Sequence, residues 1–514
     1  MPMTNVPSST QLYQSLLAAA MRGGKPESAL DVFRAVAYDP EVHYDAALKL
    51  IQLISSIGAT RRDAQLARQQ AGLGGRCGII VFQPWFYFDW VELVRKTLAN
   101  GWFTPVFAAS RCTGRRSLEG LTPGSVRHFA HKGRVLWKLC QYPLSLHLRA
   151  LPEEIDPQEP AQFSVIKRIF AEAAEMIDEA DDFVAAYQPE VVLLAQGYHL
   201  IAAVMRDAAI RSGIRVVAVE NTLRKDLLVW EDICGIAVNT HLAQNYYWRL
   251  GDLVDDVVAT RSTENYLASL SIYKTAEHNS PSGAALPEIP GGPVIVYLAQ
   301  VGTDASVVFG RRGVTSQIDA IHATADYARK HGATLIVKLH PKECATFKTD
   351  EPFYRELTKG WLARDERFSA CRDEMGNRLI VDTENSFSTY GLISRADVCV
   401  TMNSQAGLEA LLMGKEVLLC GSAYYGGLGF THEADDARAV APALDRVLNE
   451  GLRKNDHRAC CRFFHVFTEY YCIPKELDAF LALLAGPPSF PLVGESVPTA
   501  RLNGERSLAS VHQG

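Results

Sequence analysis

No stretch of this 514-residue sequence approaches the roughly 18 consecutive apolar residues that read as a membrane-spanning helix. A secretory signal is not expected either, because the opening MPMTNVPSSTQLYQ has no basic segment followed by an apolar one. Positive charge is also short: 52 Lys and Arg against 58 Asp and Glu leave a net charge of −6. No global field would therefore draw in nucleic acid or an anionic membrane, and no nucleic-acid partner is expected. The local clusters Arg311-Arg312 and Arg453-Lys454 read as solvated loop charge. The 11 cysteines are odd in number and show no CxxC spacing, which fits reduced thiols and a cytoplasmic setting. His457, Cys460, Cys461 and His465 suggest zinc, but their spacing along one helix does not bring four ligands to a point.

What the sequence does have is an ordinary soluble-enzyme composition, 48% hydrophobic and 21% charged, at a length that suggests two sizeable domains. Residues 1–75 read as a helical preface, with apolar residues at helical spacing in QLYQSLLAAAMRGG, PESALDVFRAVAYD and EVHYDAALKLIQLISSIG. Over 76–273 the pattern becomes an alternation of strand and helix. GIIVFQ (78–83), VVLLAQG (191–197) and RVVAVE (215–220) are short apolar strands, and a long helix is expected over about 161–187. Residues 274–293 are rich in Ser, Gly, Pro and Ala and read as a linker. The alternation restarts over 294–436 with VIVYLAQ, TLIVKLH, RLIVDT, DVCVTM and EVLLCG. Helices are expected over 437–487 and a disordered tail over 488–514. Continuous apolar strands separated by amphipathic helices indicate parallel sheets covered on both faces. The expected fold class is therefore α/β, with two Rossmann-like domains that face each other across a ligand-binding cleft.

Four stretches carry candidate chemistry. In DVCVTMNSQAGLEALLMGKEV a strand ends at Met402, Asn403 follows it, and Ser404 stands at the N-cap of the next helix. A helix N-terminus with a serine hydroxyl suits a phosphate, Gly407 permits close backbone approach, and Glu409 could accept ribose hydroxyls. The plainer reading is a capped surface helix. In TLIVKLHPKE a buried strand delivers His340 to the sheet edge, with Lys338 and Lys342 nearby and Pro341 keeping the backbone extended. A histidine there can hold a phosphate and answer charge on a leaving group, although a lone histidine is more often a satisfied polar residue. In VYLAQVGTDASVVFG, Gln300, Thr303, Asp304 and Ser306 stand where polar groups would face a ligand. In RVVAVENTLRKD, Glu220 closes a strand of the first domain and could take a proton from an acceptor hydroxyl. Its plainer role is a salt bridge to Arg224.

Taken together, these stretches resemble the bacterial capsule-polysaccharide synthesis proteins, the group that includes the β-Kdo transferases. The likeness is strongest in NSQAGLEALLMGKEV followed by AYYGGLGFT, and LHP (339–341) and AQVGTD (299–304) match further motifs. VVLLAQG and the segment after it also run parallel to that family's first domain, so the resemblance covers roughly 190–435. It implies a GT-B glycosyltransferase fold, an inverting transfer that needs neither metal nor cofactor, and a nucleotide-activated donor, with a CMP-sugar such as CMP-Kdo favoured. It implies that His340 and Ser404 hold the donor phosphate and that Glu409 lies near the nucleotide. The acceptor implied is a glycan or glycolipid. A lipid-linked acceptor would bring the protein to the inner face of the cytoplasmic membrane, beside the capsule-assembly machinery. Related sialyltransferases draw their base from an acidic-acidic-Gly motif. Glu220 matches its first position, while Asn221 and Thr222 replace the other two. A sugar-nucleotide 2-epimerase and a catalytically silent polysaccharide-export protein are the alternatives on the same fold.

Overall fold

The computed structural model describes residues 78–81, 106–107, 114, 116–238, 240–277, 286–310, 316–343 and 357–486. These fall into two units. One draws on described residues within 78–141, 157–235 and 474–486, and the other on those within 142–156 and 236–473.

The first unit contains β1 (Gly78–Val81), β2 (Val106–Phe107), the short antiparallel pair β3 (Ala130–His131) and β4 (Arg134–Val135), β5 (Val191–Ala195), β6 (Arg215–Asn221) and β7 (Leu227–Asp232). Its main sheet runs in the order β7-β6-β5-β1-β2. Neighbours are parallel except for β6 and β7, which pair antiparallel. Every residue of β5 is buried, as a strand covered on both faces must be. The helix Pro160–Tyr187 covers part of this core, burying Ile166, Ile169, Phe170, Ala173, Ile177 and Val184 at helical spacing. Glu159 fixes where that helix begins, its carboxylate accepting the N–H groups of Ala161 and Gln162 at 3.0 and 2.7 Å.

The second unit is built on β8 (Val294–Leu298), β9 (Thr334–Lys338), β10 (Leu379–Asp382), β11 (Val398–Thr401), β12 (Glu416–Leu419) and β13 (His432–Glu433). These form an all-parallel sheet in the order β10-β9-β8-β11-β12-β13. The first three strands wind outward from β8, and the chain then returns to the other side of β8 at β11. That reversal is the switch point of a doubly wound sheet, where the crossovers diverge and leave a crevice beyond the carboxyl ends of the strands. A last strand, β14 (Ile473–Pro474), adds to the outer edge of β7 in the first sheet.

The preface expected over 1–75 and the tail expected over 488–514 lie outside the described residues. The linker expected over 274–293 begins inside a helix, Asp256–Glu277, and residues 278–285 are also outside the described set. This helix and the preceding one, His241–Leu250, group with the second unit, ahead of the change-over that composition suggested. Packing is the reason. The Tyr266 ring lies 4.9 Å from Phe464 and the Tyr246 ring 5.3 Å from Tyr471, so both helices bury aromatic faces on the C-terminal helical segment.

Candidate functional site

Three of the expected site segments leave adjacent strands at one edge of the second sheet. Gln300 follows β8, Asn403 and Ser404 follow β11 across the switch point, and His340 follows β9. Gln300 is buried. Its Nε2 donates to Ser306 Oγ at 2.7 Å and its Oε1 accepts the Asn403 N–H at 3.0 Å. Asn403 Nδ2 in turn donates to the carbonyls of Ser306 and Ser422 at 2.8 and 3.0 Å. Asp304 caps the helix Ala305–Phe309, accepting the Ser306 N–H at 2.9 Å and the Ser306 hydroxyl at 2.7 Å. The structure thus joins Gln300, Asp304 and Asn403 into one network, with Ser306 at its centre. A Cβ on residue 310 would come within 2.4 Å of the Ser306 carbonyl and 2.5 Å of Asn403 Nδ2, which explains the glycine there. Two acceptors in this region are buried without a partner, Asn403 Oδ1 and Thr303 Oγ1. Thr303, expected to face a ligand, is fully buried.

Ser404 is the N-cap of the helix Gln405–Leu412, its Oγ accepting the Ala406 N–H at 3.2 Å. The close approach that Gly407 permits is made from within the protein. A Cβ there would lie 2.3 Å from the Tyr425 hydroxyl, which donates to the Ser404 carbonyl. Gly407→Ala is therefore expected to cost about 1–3 kcal/mol in a urea titration, since Tyr425 is fully buried and has no room to yield. Adding Tyr425→Phe, which removes the obstructing oxygen, should recover part of that loss. Equal stability of Gly407→Ala and the parent would contradict the packing. Glu409 is 2% exposed, and its carboxylate accepts the hydroxyls of Tyr266 at 2.8 Å and Tyr390 at 3.1 Å. Phenols stand where ribose hydroxyls were expected. Burial and the adjacent carboxylate push both phenols far above their ordinary value, so they remain donors to Glu409.

Along β9, Lys338 is buried with its Nζ 2.6 Å from Asp382 Oδ2 and bonded also to Asn385 Oδ1. Its charge is answered inside the protein. His340 is half-buried, and its Nδ1 accepts the Lys342 N–H at 3.1 Å, so the neutral ring carries its proton on Nε2. Three residues on, Glu343 returns an N–H to the His340 carbonyl at 2.9 Å. The Glu343 side chain accepts from the Gly302 N–H at 3.1 Å, the Thr358 N–H at 2.8 Å and the Thr358 hydroxyl at 2.9 Å. Burial raises its carboxyl to about 7, and the bonds from Thr358 and Gly302 oppose the rise. Glu343 fastens the histidine turn to the loop after β8, a role that a single Glu in HPKE gives no sequence signal for.

Glu220 lies in the first unit, 9% exposed, accepting the Tyr198 hydroxyl at 2.8 Å. Arg224, its expected partner in the plainer reading, pairs with Asp226 at 2.6 Å. In the C-terminal His and Cys group, His457 Nε2 lies 3.6 Å from Cys461 Sγ, while Cys460 turns to Asn455 Oδ1 at 3.2 Å. Among the described residues no cluster of three or more His, Cys, Asp or Glu is placed to hold a metal ion, and no helix is long and apolar enough to cross a membrane.

Two Rossmann-like sheets in one chain, the second with its strands in the order familiar from dinucleotide-binding folds, define a doubly wound α/β protein. Residues 259–450 match the family profile described as capsule polysaccharide biosynthesis protein, the family whose motifs the sequence resembles. No curated protein matches. Among solved structures, the chain is similar to a β-Kdo 2,4 transferase, KpsC of Thermosulfurimonas dismutans, at 19% identity and a TM-score of 0.38, covering 58% of this chain and 88% of that one. The β-Kdo 2,7 transferase of the same KpsC is 17% identical with a TM-score of 0.36, covering 60% and 88%. The UDP-GlcNAc 2-epimerase of Neisseria meningitidis, solved bound to UDP-GlcNAc, is 12% identical with a TM-score of 0.31, covering 75% and 93%.

Proposed function

We propose that this chain is a glycosyltransferase of capsule or surface polysaccharide synthesis, and that its second unit binds the nucleotide of an activated sugar. The observation that carries the reading is the edge beyond β8, β9 and β11. There the N-terminus of the helix begun by Ser404 and the Nε2–H of His340 both supply donors suited to a phosphate, next to the switch point. The family match over 259–450 supports the same reading, because it covers all three strands. In this scheme the glycosyl–phosphate bond breaks, its electron pair leaves with the phosphate, and His340 and the helix amides stabilise that charge. The acceptor hydroxyl forms the new bond and gives up its proton to Glu220. A CMP-sugar donor is part of the proposal.

A thermal-shift panel of CMP, UDP, GDP and inorganic phosphate against the parent and Ser404→Ala tests it. A ligand at about 100 times its Kd adds about 2.7 kcal/mol to stability. CMP is expected to raise the Tm of the parent and to do so less for the variant. Stabilisation by UDP or GDP instead would keep the transferase and replace the donor. No response to any nucleotide would defeat the reading. Product stereochemistry then decides how Glu220 acts: inversion follows from a base, retention from a carboxylate nucleophile.

A further inference from the structure

The carboxyl edge of the first sheet carries unsatisfied polar groups that nucleotide binding by the second unit does not use. Gln196, the residue after β5, has φ 64°, a left-handed conformation uncommon for a residue with a side chain. Its backbone is fully engaged. The N–H donates to the Val219 carbonyl at 2.9 Å, and its own carbonyl accepts the Gly235 N–H at 2.6 Å. Its side-chain Oε1, by contrast, is buried with no partner. Thr222, just beyond β6, repeats the pattern with a buried, unpartnered Oγ1. Between them in sequence, Glu220 accepts from Tyr198, and its Oε2 lies where a Cβ on residue 235 would come within 2.5 Å. Gly235 is therefore what leaves room for this carboxylate. The rings of Tyr198 and His199 lie 5.3 Å apart, and burial holds the His199 imidazole down at about 4, so it is neutral near pH 7.

Gly235 lies against both the Glu220 carboxylate and the Gln196 backbone, and acceptors left unpaired at this sheet edge suit a ligand that brings O–H donors, because an unmade bond at a buried polar atom is costly. An anion would instead meet the Glu220 charge. Arg206, the nearby cation, is turned toward Cys234 Sγ at 2.9 Å. We propose that Gln196, Tyr198, Glu220 and Thr222 form a hydroxyl-binding site for the sugar acceptor, in which Tyr198 is the positioning residue that aims Glu220 at the attacking hydroxyl. This rests on the transferase reading and adds the residues that select the acceptor. In the step itself the acceptor O–H proton passes to Glu220, the oxygen bonds to the anomeric carbon, and the departing phosphate keeps the bonding pair.

Saturation-transfer NMR with glucose, galactose, N-acetylglucosamine and Kdo as separate probes tests the site without requiring turnover. At least one sugar is expected to give signals with the parent. Gln196→Ala and Thr222→Val should each weaken its binding about five- to tenfold, as loss of one neutral hydrogen bond does. Nucleotide stabilisation, measured on the same variants, should not change. That control separates the two proposals, because failure of the donor reading appears there and failure of the acceptor site in the sugar signals. Tyr198→Phe should move the acid limb of the pH–rate profile to higher pH, since the ionised carboxylate loses a hydrogen bond. A merely structural tyrosine would leave that limb in place. Sugar signals of equal strength in parent and both variants, or no signal from any probe, would overturn the site.

Discussion

Lys338→Met is expected to lower the unfolding free energy by about 3–5 kcal/mol while leaving nucleotide stabilisation of the folded protein intact. The side chains of Lys338 and Asp382 are 3% and 1% exposed, with 2.6 Å between Nζ and Oδ2. Removing the ammonium strands a buried carboxylate. Asp382 also accepts the N–H groups of Ser386 and Phe387 at 2.7 and 3.1 Å, and Lys338 bonds to Asn385, whose φ is 54°. The pair therefore holds the tight turn after β10. Asp382→Asn on top of Lys338→Met should recover much of the loss, because an amide needs no counter-charge. Urea denaturation of the two single variants and the double variant gives the coupling directly. Lys338→Met at near-parental stability, with nucleotide stabilisation lost, would make Lys338 a nucleotide-binding residue instead.

That case also shows where the sequence stopped being readable. VVLLA, VIVYL, TLIVK, VCVT and EVLL were legible as strands because each is a continuous apolar run ended by polar or glycine residues, and the structure starts and stops them within a residue or two. Strand order was not legible in the same way. Lys338 and Asp382 face each other only because β9 and β10 are neighbours in register, with Asp382 opposite Lys338. Helix capping by Ser404 was local and could be read from a few residues, whereas Asp304, expected to face a ligand, caps a helix of its own. The partners of Glu409 could not be, since Tyr266 lies 143 positions away and Tyr390 arrives from another helix. A carboxylate one turn into a helix looks the same in sequence whether ribose or phenol covers it. Gln196 gives no signal in the sequence, because what marks it is a backbone angle and an unpaired oxygen, neither of which composition records.

His340→Ala should reduce kcat by about a hundred- to a thousandfold, the usual effect of removing one donor to developing negative charge. The direction follows from the ring's geometry. Because Nδ1 accepts the Lys342 N–H at 3.1 Å, the imidazole presents an Nε2–H, a donor that needs no protonation to serve a phosphate oxygen. In the proposed transfer, charge on that oxygen would grow as the glycosyl bond breaks, so a bond to Nε2–H would strengthen in the transition state and its loss would fall on kcat more than on KM. Stability should change little, since the ring is only half-buried and Pro341 and the Glu343 N–H still shape the turn. The assay uses the sugar nucleotide whose base stabilises the parent protein, with kcat and KM measured separately. A rise in KM at unchanged kcat would make His340 a ground-state binding group. Activity within about threefold of the parent would remove His340 from the chemistry and leave the amides of the Ser404 helix as the source of charge stabilisation.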